Sequence, residues 1–143
     1  MEQEPIAGYG WYIKRIDNAL AKEAARNMQA HALTSQQAHV LVTLEHAPEG
    51  SMALKELEES FGAAQSTVAG LISRLEKKGL VEGFQAPGDK RVKRVRLTEA
   101  GHAMHQTCRQ DVVNSEHRLT EQLSPEEQTT FLALLRKVYE TVK

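Results

Sequence analysis

The run Leu54-Lys55-Glu56-Leu57-Glu58-Glu59-Ser60-Phe61-Gly62-Ala63-Ala64-Gln65-Ser66-Thr67-Val68-Ala69-Gly70-Leu71-Ile72-Ser73-Arg74-Leu75-Glu76-Lys77-Lys78-Gly79 carries two apolar stripes at helical spacing. Leu54, Leu57 and Phe61 fall at i, i+3 and i+7, one side of a two-turn helix, and Gly62 stops it. Val68, Leu71, Ile72 and Leu75 predict a second helix from about Gln65 to Lys78, ended by Gly79. Two such helices joined by a short glycine-containing turn match the helix-turn-helix unit, whose second helix can lie in a DNA major groove.

At 100° per residue, Ser66, Gly70, Ser73 and Lys77 lie opposite the buried stripe, with Thr67 and Arg74 on the flank. This face holds hydroxyls, one glycine and cations, and no large apolar group. It can approach a nucleic acid closely, with Arg and Lys for phosphates or guanine edges and Ser, Thr and Gln65 for phosphate oxygens or bases. Beyond Gly79 the period changes. Leu80 to Phe84 reads as a strand, Pro87-Gly88-Asp89-Lys90 as a turn, and Val92 to Leu97 alternates, Val95 and Leu97 on one face and Arg94 and Arg96 on the other. From Arg74 to Arg96 eight cations face three acids, a local charge of +5 in a chain of net −1. The case for DNA therefore rests on this asymmetry and not on the overall pI near 6.6.

The hairpin sequence Asp89-Lys90-Arg91 through Val95-Arg96-Leu97-Thr98-Glu99-Ala100-Gly101 closely resembles the wing signature of the MarR family of bacterial transcription regulators, D-x-R followed by V-x-L-T-x-x-G. Ser66-Thr67-Val68 and Leu75-Glu76-Lys77-Lys78-Gly79-Leu80-Val81 are similar to that family's recognition helix and its exit. The resemblance covers nearly the full length and implies a homodimer of winged helix-turn-helix subunits on pseudo-palindromic operators, often released by a small ligand or an oxidant. It also implies a ligand pocket where the dimerisation helices meet the DNA-binding lobe. Two positions depart from the pattern. Ala64 stands where a capping Ser is common, at a cost of roughly 1 kcal/mol. Gly70 stands where many relatives carry a long, base-reading side chain. Both bear on which operator is read and not on the mode of binding.

The flanks read as helical scaffolding, so the expected fold is mainly α with a small β-hairpin wing, a winged helix-turn-helix with N- and C-terminal dimerisation helices. A first helix, about Ala7 to His31, places Ile6, Tyr9, Ile13, Ile16, Leu20 and Ala24 on one stripe, with Trp11 and Tyr12 beside it. That is more apolar surface than a small domain needs to cover, which suggests an intermolecular interface. Thr34-Ser35-Gln36-Gln37 is a capping box opening a helix to about His46, with Gln37, Val40, Leu41 and Leu44 inward. Ser51-Met52-Ala53 suits a short third strand against the wing. Thr98 caps a long helix whose inward stripe is predicted to be Ala100, Met104, Cys108, Val112, Leu119 and Leu123, interrupted by Asp111 and Ser115. Ser124-Pro125-Glu126-Glu127 starts a last helix with a broad face of Phe131, Leu134, Leu135, Val138 and Val142. The first and last helices of two subunits are expected to interlock.

The chain's 143 residues, 41% hydrophobic and 26% charged, fit one domain, divided into a DNA-binding lobe at 34–101 and dimerisation segments at 1–33 and 102–143. One cysteine, no apolar run of membrane-spanning length and no signal-peptide pattern lead to the expectation of a cytoplasmic protein. No phosphate-binding glycine loop, Cys-x-x-Cys pair, nucleophile elbow or carboxylate couple appears, so neither enzyme nor cofactor is expected. His102, His105 and Cys108 have metal-ligand residue types at i, i+3 spacing, but a helical wheel turns Cys108 to the core, His105 to the side and His102 outward. His39 lies near a ligand position of some metal-sensing relatives, without an acidic neighbour at Ala38. The expected DNA contacts are Gln65, Ser66, Thr67, Ser73, Arg74 and Lys77 on the helix and Asp89, Lys90, Arg91 and Arg94 on the wing. Arg91 is foremost, reaching the minor groove with Asp89 fixing its guanidinium. The alternatives are a winged-helix dimer serving as a protein-interaction module and a metal-responsive regulator using the His and Cys groups.

Overall fold

In the computed structural model, which describes residues 7–143, the chain runs α1 (Tyr9–Ala30), α2 (Ser35–Glu45), a 3-10 turn (Pro48–Gly50), β1 (Ser51–Ala53), α3 (Leu54–Phe61), α4 (Gln65–Lys77), β2 (Val81–Ala86), β3 (Asp89–Leu97), α5 (Glu99–Thr120) and α6 (Pro125–Val142). Ile6 of the expected first stripe lies outside the described residues. The helix starts follow local side-chain chemistry. Thr34 Oγ1 accepts from the Gln37 amide at 3.1 Å while Gln37 Oε1 accepts from the Thr34 amide at 3.3 Å. Ser124 and Glu127 make the same reciprocal pair at 3.1 and 2.9 Å. At α3 only half of this arrangement forms, Glu56 Oε1 accepting from the Ala53 amide at 3.0 Å, because Ala53 has no side-chain acceptor.

The three strands form an antiparallel sheet in the order β1-β3-β2, with Ser51 opposite Arg96 and Val81 opposite Leu97. The third strand expected at Ser51–Ala53 is present, and Val95 and Leu97 face inward as their alternation requires. The sheet feeds α5 through a close junction. The Thr98 amide donates to Leu80 O at 3.1 Å, and Thr98 Oγ1 donates to Gly79 O at 2.5 Å while accepting from the Gly101 amide at 3.0 Å. A Cβ on Gly101 would lie 2.0 Å from Leu80 O, so the glycine of the V-x-L-T-x-x-G run is required by backbone contact.

Among the described residues, every buried apolar side chain lies between Leu33 and Leu97, on α2, α3, α4, the sheet and the connections between them. Leu41, Leu44, Leu57, Leu75 and Val95 form its centre, each at 0% exposure. By contrast α1 and α6 bury no residue, and every residue of α6 is exposed in the single chain. Helix α5 differs from its expected phase. Its buried positions are Gly101 and His105, with Met104, Cys108, Asp111 and Ser115 half-buried, whereas Ala100 and Val112 are exposed. The cause is the docking of Gly101 on Leu80, which sets the rotation of the helix. Of the polar residues then turned inward, Asp111 finds a distant partner, its Oδ2 lying 2.7 Å from His31 Nε2.

Candidate nucleic-acid interface

Helix α4 is seated by Val68, Leu71, Ile72 and Leu75, all buried, and its approach is set by Gly62, which caps α3 at φ 58 where a side chain would be strained. Gln65, Ser66, Thr67, Ser73, Arg74 and Lys77 are all exposed, so the face expected to meet DNA is free of the core. Ala64 supplies no side-chain cap, and only its backbone carbonyl takes bonds from Thr67 and Val68 at 3.0 and 3.2 Å. The first amides of α4 therefore point outward without a side-chain acceptor from the cap. Gly70 is open, since an added Cβ would meet only Arg74 Nη1, at 3.7 Å.

The wing divides into a tip and a root. At the tip, Gly88 turns the chain at φ 82, and Asp89 Oδ1 accepts from Arg91 N at 3.0 Å and Arg91 Nε at 3.3 Å. The Arg91 side chain remains 92% exposed, held at its base and free at its end, and Lys90 beside it is exposed as well. The root cations are engaged within the fold. Arg94 donates through Nε to Ser51 Oγ and through Nη2 to Ser51 O, both at 3.0 Å, and its Nη1 lies 3.5 Å from Glu56 Oε1. Arg96 pairs with Glu82 at 2.7 Å and stacks on Phe84, its guanidinium carbon 4.4 Å from the ring centre. Arg94 thus ties β3 to β1 and α3, and it differs from the other nine sequence candidates in having its guanidinium committed inside the lobe.

A cleft of about 620 Å³ lies between α3, the start of α4 and the wing, bordered by Lys55, Glu59, Gln65, Arg91 and Lys93. It brings Gln65 and Arg91 to one surface. Lys55 joins them there, and sequence reading missed it because a polar residue on a two-turn helix has no periodic signature of its own.

Of the group on α5, His102 and Cys108 lie as their helical phase predicts and His105 does not. His105 is the buried one, 6% exposed, with its ring 5.9 Å edge-on to His46 and its Nδ1 lacking a hydrogen-bond partner. His102 faces outward and its Nδ1 lies 2.6 Å from Glu45 Oε2, while His39 rests on Phe61 at 4.5 Å between ring centres. Cys108 is half-buried and packs against the core, as its helical phase predicts; burial first, and the charge of Asp111 second, push its thiol above the ordinary range. Among the described residues no group of three or more His, Cys, Asp or Glu side chains is disposed to hold a metal ion. Nor is any described helix long and apolar enough to cross a membrane.

Comparison with known proteins follows the same lines. Residues 33–93 match the model of the MarR family. The chain is 30% identical to the HTH-type transcriptional regulator YfiV of Bacillus subtilis, over 92% of its own length and 82% of that protein. It is 24% identical to the transcriptional repressor MprA of Escherichia coli, over 86% of its own length and 70% of that protein. Among solved structures, the S. aureus MepR–DNA complex superposes with a TM-score of 0.83 at 23% identity, covering 94% of this chain and 100% of that one.

Proposed function

Because the chain belongs to the MarR family, we propose that it is a DNA-binding transcriptional regulator whose two recognition helices read successive major grooves of a pseudo-palindromic operator, about 34 Å apart. Two copies pair through α1, α5 and α6, residues 1–33 and 102–143, and each presents the lobe 34–101 to DNA. The protein acts in the cytoplasm as a repressor of nearby genes, and a small-molecule effector releases it. It is a regulator and not an enzyme. The repressor assignment follows MprA, and the DNA partner follows the MepR complex.

The observation that carries this reading is the shared surface of α4 and the wing tip, where Gln65 and Arg91 border one cleft and Asp89 holds the Arg91 backbone and Nε. Gln65, Ser66, Thr67, Ser73, Arg74 and Lys77 supply groove and phosphate contacts, and Lys90 and Arg91 enter the adjacent minor groove. Arg94 braces the wing from behind.

Fragments of the source genome selected by the purified protein test this directly. The expected result is an enriched inverted repeat, bound about 10³-fold more weakly at moderate than at low salt if six or so phosphates are neutralised. Arg91→Ala is expected to lose that binding while remaining paired. A flat salt response, or selection that the substitution leaves unchanged, would refute the reading.

A further inference from the structure

The last lysine of the recognition-helix exit is bonded away from the DNA-facing side. Lys78 follows Lys77 by one residue and keeps helical geometry, φ −78 and ψ −7, so the two side chains diverge by about 100°. Its Nζ donates to Ala32 O and, at 2.8 Å, to Gln37 Oε1. The backbone holds it there, Gly79 N bonding to Glu76 O at 2.9 Å and Leu80 N to Leu75 O at 3.0 Å.

Both acceptors are themselves fixed. Ala32 has φ 55 in the tight turn that leaves α1, and that turn is closed by Leu33 N on Met28 O at 2.9 Å. Gln37 is 4% exposed and its Oε1 already accepts from the Thr34 amide at the start of α2. One ammonium, with three donors, therefore joins the end of α1, the first turn of α2 and the end of α4. Helix α1 carries the apolar pairing face and α4 the reading face, so whatever fixes their relation fixes the separation of two recognition helices in a dimer.

The geometry points to Lys78 as a positioning residue that sets the placement of α4 relative to α1, and through it the operator half-site spacing that the dimer accepts. This rests on the homodimeric DNA-binding reading above. Lys78 accordingly neutralises no phosphate, although it adjoins Lys77 in sequence.

Lys78→Met keeps the aliphatic stem and removes the donors, and Lys78→Arg retains donors. The first measurement needs no DNA: spin labels at Gln29→Cys on α1 and Ala69→Cys on α4, with Cys108→Ser, in labelled chains diluted with unlabelled ones so that pairs within one chain dominate. A narrow distance distribution is expected for the parent and for Lys78→Arg, and a broadened or displaced one for Lys78→Met. Identical distributions would overturn the proposal. On an operator, using unlabelled protein, Lys78→Met is expected to bind on the order of tenfold more weakly, with an unchanged salt slope and a blunted preference among half-site spacings. A salt slope reduced by about 1 would mean that Lys78 contacts a phosphate, and would overturn it equally. Failure of the parent to bind any fragment would sink the operator reading, while the distance measurement still decides the placement of α4.

Discussion

Gly70 and Gly101 have opposite reasons to be glycine. At Gly70 an added methyl meets only the mobile end of Arg74, at 3.7 Å, and the position is interior to a helix. Gly70→Ala is expected to stabilise the protein by roughly 0.5–1 kcal/mol through helix propensity, read as a higher denaturant midpoint at unchanged slope. At Gly101 the same methyl would overlap the Leu80 carbonyl. Gly101→Ala is expected to destabilise by about 1–3 kcal/mol or more as α5 is forced off the sheet, and a midpoint equal to the parent's would contradict the contact described. Cys108 gives a third residue-level outcome. With its thiol pushed upward by burial and by Asp111, the reactive thiolate is scarcer at any neutral or mildly alkaline pH than for an open cysteine. Alkylation at pH 8 should therefore be slower in the native protein than after unfolding; equal rates would contradict this.

Helix α4 is anchored well along its inner stripe and poorly at its start, where Ala64 offers no acceptor. Ala64→Ser is expected to add about 0.5–1 kcal/mol of stability by accepting an amide of the first turn, measurable by thermal or denaturant unfolding. Elements of this kind were legible in the sequence because their determinants are local. The boxes at Thr34 and Ser124, the glycine stops and the strand alternation at Val95 and Leu97 each concern residues within a turn or a hairpin of one another. Even the short β1 was legible from its position. Helix α5 was not. Its inward face carries His105, Asp111 and Ser115, and apolar periodicity has no means of choosing that face when the contact of Gly101 with Leu80 sets it and Asp111 finds its partner, His31, dozens of residues away. Arg94 and Lys78 were obscured for the same reason. A cation counted in a run has no address until Ser51, Glu56, Ala32 and Gln37 are brought beside it.

Among the described residues, apolar burial is confined to Leu33 and the winged lobe, while Leu132, Leu134, Leu135, Val138 and Tyr139 on α6 and Tyr12 and Ile13 on α1 are left exposed. A face of this extent calls for a partner, and the homodimer supplies one. Leu135→Asp is expected to shift the protein from dimer to monomer in sedimentation while leaving the winged lobe folded, because none of the core residues lies on α6. An unchanged sedimentation coefficient would remove α6 from the interface. Separating the pairing helices from the reading surface also has a genetic consequence. A chain with a crippled wing and intact α1 and α6 still assembles with normal chains, and each mixed pair has one working arm. Alleles that damage Arg91 should therefore be dominant over the wild type, whereas alleles that damage α6 should be recessive.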